Sequence, residues 1–228
     1  LVFNSHCLER DVALYRSHRL GDTAFGVGPF PAVTFLPGLL ADLRREHPGI
    51  NLRVEVSNWQ LLLKRLREED IEFYVADTTE LPADPSLQSR PLKRQPGGFY
   101  VRAGHPLADA GPVSLPEAWR YGALAIRVPV GVRSVIARML GLPSADELKV
   151  ALECDDANLL TRVTLESDSV LVAAHAAVAG EVAAGRLKLL EIRDLPLLQA
   201  QAGVVTLRGR TPSRMAELII SRLPLLNE

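Results

Sequence analysis

The stretch LPGLLADLRREHPGINLRVEV at 36–56 constrains the fold more than any other part of the chain. Its leucines recur at helical spacing and charged residues fill the positions between them, which is typical of a helix with one buried face. Pro48 has no amide hydrogen and restricts the backbone of His47, so the helix is predicted to end there. The alternation in INLRVEV then predicts a half-covered edge strand.

The same alternation of helices and strands continues along the chain. DTAFGVG at 22–28 predicts a strand before a helix over 33–46, and IEFYVAD at 71–77 predicts a central parallel strand because it is almost continuously apolar. A second helix is predicted between the strand in INLRVEV and the strand at 71–77, and parallel strands need such helical connections. A strand within 201–209 and a helix over 213–223 end the pattern, which indicates an α/β fold.

Bulk properties narrow the class of protein. The 228 residues suit one large domain or two small ones, and a net charge of −1 argues against a chain that itself grips nucleic acid. We expect no membrane contact, because no apolar run approaches the length of about 18 residues that a membrane span needs. The two cysteines imply no disulfide framework and the first residues lack a signal-peptide pattern, so a cytoplasmic location is expected.

Two short motifs suggest chemistry that other features argue against. In GVGPFP the third glycine of a dinucleotide loop falls at Pro31, which cannot give the close helix–strand packing of such a site. ECDDANLL brings Cys154 next to two aspartates, but Asp156 is a good N-cap for the following helix. We therefore predict no cofactor, no metal site and no catalytic residue; an enzyme remains an alternative only if Cys154 is reactive.

The segment RVPVGVRS at 127–134 is a candidate anion site. A strand ends near its first residue and a helix begins near Gly131, where free backbone N–H groups attract anions. Arg127 or Arg133 would add a fixed positive charge. The alternative is that both arginines are solvated or paired on the surface, which is the commoner environment of arginine.

Five stretches, taken in their order and spacing, carry a resemblance to a known family. They are FLPGLLADLRREHPGINLRVEV, LLLKRLREEDIEFYVAD, LQSRPLKRQPGGFYVRAGHPLAD, VSLPEAWRYGALAI and LRGRTPSRMAELI. With them the chain resembles the effector-binding domain of a LysR-type transcriptional regulator from about Asp22 to Leu223. This resemblance implies two Rossmann-like α/β subdomains of the type II periplasmic-binding-protein architecture, with a cleft between them.

The resemblance also implies a domain organisation and partners. Subdomain I would comprise 21–97 plus 200–228 and subdomain II 98–199, with 1–20 a linker-helix remnant or a disordered N-terminus. The cleft would bind a small-molecule effector, and DNA would be bound only by an N-terminal helix-turn-helix domain outside this chain. Helices 33–46 and 213–223 would form a homodimer or homotetramer. A solute-binding receptor for transport, with the same bilobal fold, is the alternative function.

Effector contacts follow from the resemblance by position, at the ends of strands and the starts of helices. They are Pro29, Phe30, Pro31, Ala32, Ser57, Asn58, Asp77, Thr78, Arg127, Val128, Pro129, Val130, Gly131, Asp155 and Asp156. Many members of the family carry small or hydroxyl residues in the first loop and in the crossing loop, where this chain has PFPA and VPVG. That difference predicts a bulkier or more apolar effector, anionic if Arg127 contacts it, or a degenerate pocket.

Overall fold

A computed structural model describes residues 22–193 and 195–224. These residues form two mixed α/β units, each built on its own sheet. The predicted linker remnant at 1–20 lies outside the described residues. None of the described helices is long and apolar enough to span a bilayer.

The first sheet has five strands in the order β2-β1-β3-β11-β4. They are β1 Thr23–Val27, β2 Leu52–Val56, β3 Phe73–Asp77, β4 Leu87–Pro91 and β11 Ala202–Leu207. β1 pairs in parallel with β2 and β3, and β2 lies at the edge, which confirms the predicted edge strand. β11 runs antiparallel between β3 and β4. The sequence pattern does not predict β4, because four of its five residues are exposed.

Four described helices pack on this sheet. They are α1 Pro29–Val33, α2 Leu36–Glu46, α3 Trp59–Arg67 and α8 Arg214–Ser221. The single helix predicted over 33–46 is wrong at its start, since the chain turns at Thr34 and Phe35 between α1 and α2. Pro37 cannot donate a hydrogen bond to the preceding turn, so it fits only the first turn of a new helix. The predicted end is confirmed, as His47 caps α2.

The second sheet has the order β10-β5-β8-β6-β7, with β9 also paired to β5. Its strands are β5 Gln95–Arg102, β6 Ala123–Ala125, β7 Leu152–Glu153, β8 Val170–Ala174, β9 Leu187–Leu190 and β10 Gln199–Ala200. The helices around it are α4 Leu115–Trp119, α5 Val130–Met139, α6 Ala157–Glu166 and α7 His175–Ala183, with a 3₁₀ turn at Ala145–Glu147.

The sequence LKVALEC at 148–154 predicts a strand, but in the structure only Leu152–Glu153 pairs with β6. Side chains bind the backbone of its first residues. Arg133 Nη2 donates to the Leu148 carbonyl at 2.8 Å and Trp119 Nε1 donates to the Lys149 carbonyl at 3.2 Å. These carbonyls are therefore satisfied without a neighbouring strand.

The chain passes between the two sheets in two adjacent segments. Leu92 N donates to the Ala202 carbonyl and Gly97 N donates to the Leu198 carbonyl, both at 2.8 Å. The predicted subdomain divisions at 97/98 and 199/200 fall within β5 and β10, both of which belong to the second sheet. The division into subdomains 21–97 plus 200–228 and 98–199 stays a prediction.

Candidate functional site

A cavity of about 230 Å³ lies between the two sheets. The start of α1 and the end of β3 line it from the first unit. The segment after β6, α6, the end of β8 and α7 line it from the second, and the crossing segment around β10 lies beside them. Most lining side chains are aliphatic or aromatic. The polar ones among the described residues are Asp77, Thr79, Arg127, Thr161, Gln199 and Gln201.

The structure brings many of the predicted effector contacts together in this cavity. Those that line it are Pro29, Phe30, Pro31, Asp77, Arg127, Val128 and Pro129. The resemblance implies that PFPA is a loop, but in the structure it belongs to the short helix α1, and VPVG includes the start of α5. The two segments line the same cavity, one from each unit. Their side chains contribute apolar surface to the cavity wall. The sequence analysis predicts a more apolar effector from the same two segments.

Asn58 and Asp155 lie beside the main cavity and join the two units. Asn58 Nδ2 donates to Asp155 Oδ2 at 3.2 Å, and both residues line a smaller cavity of about 50 Å³. Pro29, Asp77 and Arg127 line both cavities, so the two spaces adjoin. The hydrogen bond therefore closes one edge of the cleft.

The remaining predicted residues line neither of these cavities. They are Ala32, Ser57, Thr78, Val130, Gly131 and Asp156. Asp156 instead caps α6, accepting hydrogen bonds from Asn158 N at 2.9 Å and Leu159 N at 3.1 Å, which confirms the predicted N-cap. Any part that these residues take in effector binding stays a prediction.

The start of α5 is already bound to a carboxylate of the chain. Val130 N donates to Glu80 Oε1 at 2.6 Å, so a residue of the first unit meets the positive end of a helix in the second. This contact uses one of the backbone donors that the sequence assigns to an external anion. It is also a second hydrogen bond across the cleft.

The two arginines of RVPVGVRS differ in their surroundings. Arg133 donates to the Leu148 carbonyl and its Nη1 lies 3.6 Å from Glu153 Oε2, so it is paired on the surface. Arg127 is exposed and lines both cleft cavities. It forms no hydrogen bond or ion pair through its side chain with any residue of the described ranges. Its guanidinium donors are therefore available to an anion at the cleft.

Sequence reasoning missed two glutamines beside the cavity, Gln199 in β10 and Gln201 directly after it. Arg94 Nε donates to Gln201 Oε1 at 3.1 Å, and Arg94 Nη1 donates to Gln199 Oε1 at 3.2 Å. Because guanidinium can only donate, these contacts orient both amide oxygens toward Arg94. The amide NH₂ groups remain available as donors beside the cavity. The spacing of two residues, which places both on one side of a strand, was the available signal.

Comparisons with known proteins agree with this architecture. The family model described as the LysR substrate binding domain matches residues 17–224. A Pseudomonas protein (strain ATCC 19151) named SDS degradation transcriptional activation protein is 35% identical over 200 residues, which cover 86% of this chain and 64% of that protein. The regulator CbbR of Xanthobacter flavus is 26% identical, with 84% of this chain and 57% of CbbR covered.

A solved structure shows the same fold. The regulatory domain of Synechocystis CcmR, in complex with 2-PG, superposes with a TM-score of 0.68 at 20% identity, covering 88% of this chain and 96% of that one. The chain spans less than two thirds of the curated relatives named above, all of which are named as transcriptional regulators. The type II periplasmic-binding-protein-like fold is thus confirmed, and the chain belongs to the LysR substrate-binding-domain family.

Proposed function

We propose that this chain is the effector-sensing domain of a transcriptional regulator and that its effector binds in the cavity between the two sheets. The observation that carries the proposal is that Arg127, exposed and without a side-chain partner among the described residues, lies beside a cavity whose lining is mostly apolar. The effector would change the relative positions of the two units, and it shifts that equilibrium only by binding one arrangement more tightly. DNA would be bound by another part of the parent protein, in keeping with a net charge of −1.

The lining favours one chemical class of effector, an anion with an aliphatic body. Phe30, Pro31, Val128 and Pro129 offer apolar surface that gains free energy when a hydrocarbon replaces water. Arg127 supplies charge-assisted donors for one anionic group. The Pseudomonas relative is named for degradation of SDS, an alkyl sulfate, and such a molecule combines both features. We therefore propose an alkyl sulfate or a related aliphatic anion.

Catalysis and solute transport are less well supported. Cys154 is half-buried, and its Sγ accepts a hydrogen bond from Asp156 N at 3.4 Å. The curated relatives named above are regulators, not enzymes or transport receptors. We therefore expect no catalytic turnover from the domain.

Isothermal titration of octyl sulfate tests the proposal. Arg127→Ala is expected to weaken binding by about 1–2 kcal/mol, or roughly 5- to 30-fold, because charge-assisted hydrogen bonds are lost. Arg138→Ala is the matched control, since Arg138 is exposed on α5 and lines neither cavity. Octanol, which lacks the charge, should bind wild type and Arg127→Ala with the same affinity. Equal affinity of octyl sulfate for wild type and Arg127→Ala would remove Arg127 from the site.

We further propose that the parent protein assembles as a homodimer or homotetramer through the helices predicted at 33–46 and 213–223. The ends of α2 and α8 lie together, because Arg222 Nη2 donates to Glu46 Oε2 at 2.6 Å. A two-fold pairing would then present the same surface from both subunits. Light scattering of Ala41→Glu, on the exposed part of α2, should show a smaller particle than Ala110→Glu, on an exposed loop of the second unit. Equal particle sizes would contradict this interface.

A further inference from the structure

A second cavity, of about 200 Å³, adjoins the effector cavity. Phe30 and Ala202 line both cavities, so these two residues form the wall between them. Apolar side chains, including Phe35, Leu92 and Ala176, supply much of its remaining lining. The polar residues of its lining, among those described, are Thr34, Lys93 and Gln95. The second cavity is nearly as large as the first and, like it, combines a mainly apolar lining with a few polar side chains. Arg127 does not line it.

The two residues of this wall differ in how they are packed. Phe30 is half-buried and belongs to none of the four hydrophobic clusters that the described residues form. Phe35, in contrast, packs against the core of the first unit. Ala202 is buried in β11 and its position is fixed by the sheet. Of the two residues that line both cavities, Phe30 is therefore the one whose side chain is not held by a core cluster.

We propose that the second cavity accommodates the far end of the effector's aliphatic chain and that Phe30 sets the chain length at which this extension begins. The inference rests on the proposed function, because it places the anionic group of the same effector at Arg127. A short chain would fill only the first cavity. A longer chain would displace the Phe30 ring and continue between Phe30 and Ala202 into the second cavity.

A series of alkyl sulfates of increasing chain length, titrated below the micelle concentration of each, tests the inference. Each methylene buried in a cavity is expected to tighten binding by about fourfold. For the wild-type domain the gain in affinity per methylene should diminish at the chain length at which the alkyl chain must displace the Phe30 ring. Phe30→Ala should remove this step, so that long chains bind about three- to tenfold more tightly than to wild type. Short chains, which lose only their contact with the ring in the first cavity, should bind more weakly than to wild type.

Two neighbouring alanines give a matched pair of controls. Ala176 lines only the second cavity, and Ala177 lines only the first. Ala176→Leu is therefore expected to weaken the binding of long alkyl sulfates and leave that of short ones unchanged. Ala177→Leu should weaken the binding of alkyl sulfates of every length.

The outcomes separate this inference from the function on which it rests. If Ala176→Leu and Phe30→Ala change the affinity by the same factor at every length, the second cavity is not part of the site and only this inference fails. If no alkyl sulfate binds wild type or any variant, the proposed effector class fails and the inference fails with it. A break in chain-length dependence that Phe30→Ala removes and Ala176→Leu sharpens supports both.

Discussion

Asn58 Nδ2 donates a hydrogen bond to Asp155 Oδ2 at 3.2 Å, and these residues belong to different units of the domain. The Asn58 side chain has a second role, because its Oδ1 accepts from Leu61 N at 3.0 Å and so caps α3. One amide therefore fixes the start of a helix in the first unit and holds the second unit against it. This contact closes the cleft edge next to Arg127.

Exchanging the two side chains tests this contact. Asn58→Asp keeps an N-cap of similar quality but places two carboxylates together. We expect it to lower the free energy of unfolding by about 1 kcal/mol, the usual net value of one hydrogen bond. Asp155→Asn should cost less, because the new amide oxygen still accepts from Asn58. Combining both substitutions should recover at least half of the loss in urea denaturation; a double variant no more stable than Asn58→Asp would exclude the coupling.

Asp156 is the control for this experiment because it follows Asp155 directly and makes no contact with the first unit through the hydrogen bonds of the described residues. Asp156→Ala removes the N-cap of α6 and should cost about 1 kcal/mol whatever residue is at position 58. Its effect should therefore add to that of Asn58→Asp, as expected for residues without a shared partner.

Local sequence rules predicted much of the fold. Pro48 ends α2 where the pattern predicts, and the apolar segment 71–77 gives a central strand. The rules failed where side chains decide the backbone's partners. Lys149 has its carbonyl bound by Trp119, and that contact cannot be read from residues 30 positions apart. β4 escaped prediction because an exposed strand lacks an apolar pattern.

The candidate site divides in the same way. The resemblance predicted that the segments PFPA and VPVG contact the effector, and Phe30 and Val128 of these segments both line the cavity. It did not identify Gln199 and Gln201, whose orientation depends on Arg94, more than 100 residues earlier. Hydrogen bonds between residues so far apart in the chain depend on how the two sheets are arranged in space. A single sequence gives no measure of such distances.

Tyr74 and Tyr100 are both buried, but among the described residues only the Tyr100 hydroxyl has a partner. The Tyr74 hydroxyl has no hydrogen bond within the described part of the chain, and burial raises the pKa of this phenol. Tyr100 Oη lies 3.2 Å from His175 Nδ1. Tyr74→Phe should therefore raise the free energy of unfolding by about 1 kcal/mol, and Tyr100→Phe should lower it by a similar amount. Urea denaturation of both variants checks the opposite signs; a loss in Tyr74→Phe would indicate a partner for its hydroxyl.

Asp84 makes stability depend on pH in the acidic range. The Ser86 side chain donates to its carboxylate at 2.7 Å, and with the Ser86 amide and Arg67 this lowers the pKa of Asp84 to about 2. The unfolded value is near 4, so the folded state favours the charged form. The contribution is fully present above about pH 4 and is lost as the pH falls through the folded pKa.

Asp84→Asn tests this dependence. The difference in free energy of unfolding between wild type and variant is expected to be constant above about pH 5 and to shrink between roughly pH 4 and 2. Ser86→Ala removes the largest cause of the lowered pKa, so the decline should be smaller and should be complete at a higher pH. Urea denaturation at a series of pH values measures both. A difference that stays constant down to about pH 2 would show that Asp84 is not stabilised in its charged form.

Gly26 lies in β1 at a place where no side chain fits without movement of its neighbours. A Cβ at this position would lie 2.6 Å from Leu62 Cδ2, 2.9 Å from Ile71 Cδ1 and 3.0 Å from Tyr74 Cβ. We expect Gly26→Ala to lower the free energy of unfolding by about 1–3 kcal/mol through overpacking. Gly38, within α2, has no atom within 4 Å of such a Cβ. Gly38→Ala should instead add about 0.5–1 kcal/mol, since alanine favours the helix. Urea denaturation measures the free energy of unfolding of both variants. A loss for Gly26→Ala together with a gain for Gly38→Ala supports crowding at Gly26, whereas a change of the same sign in both variants would contradict it.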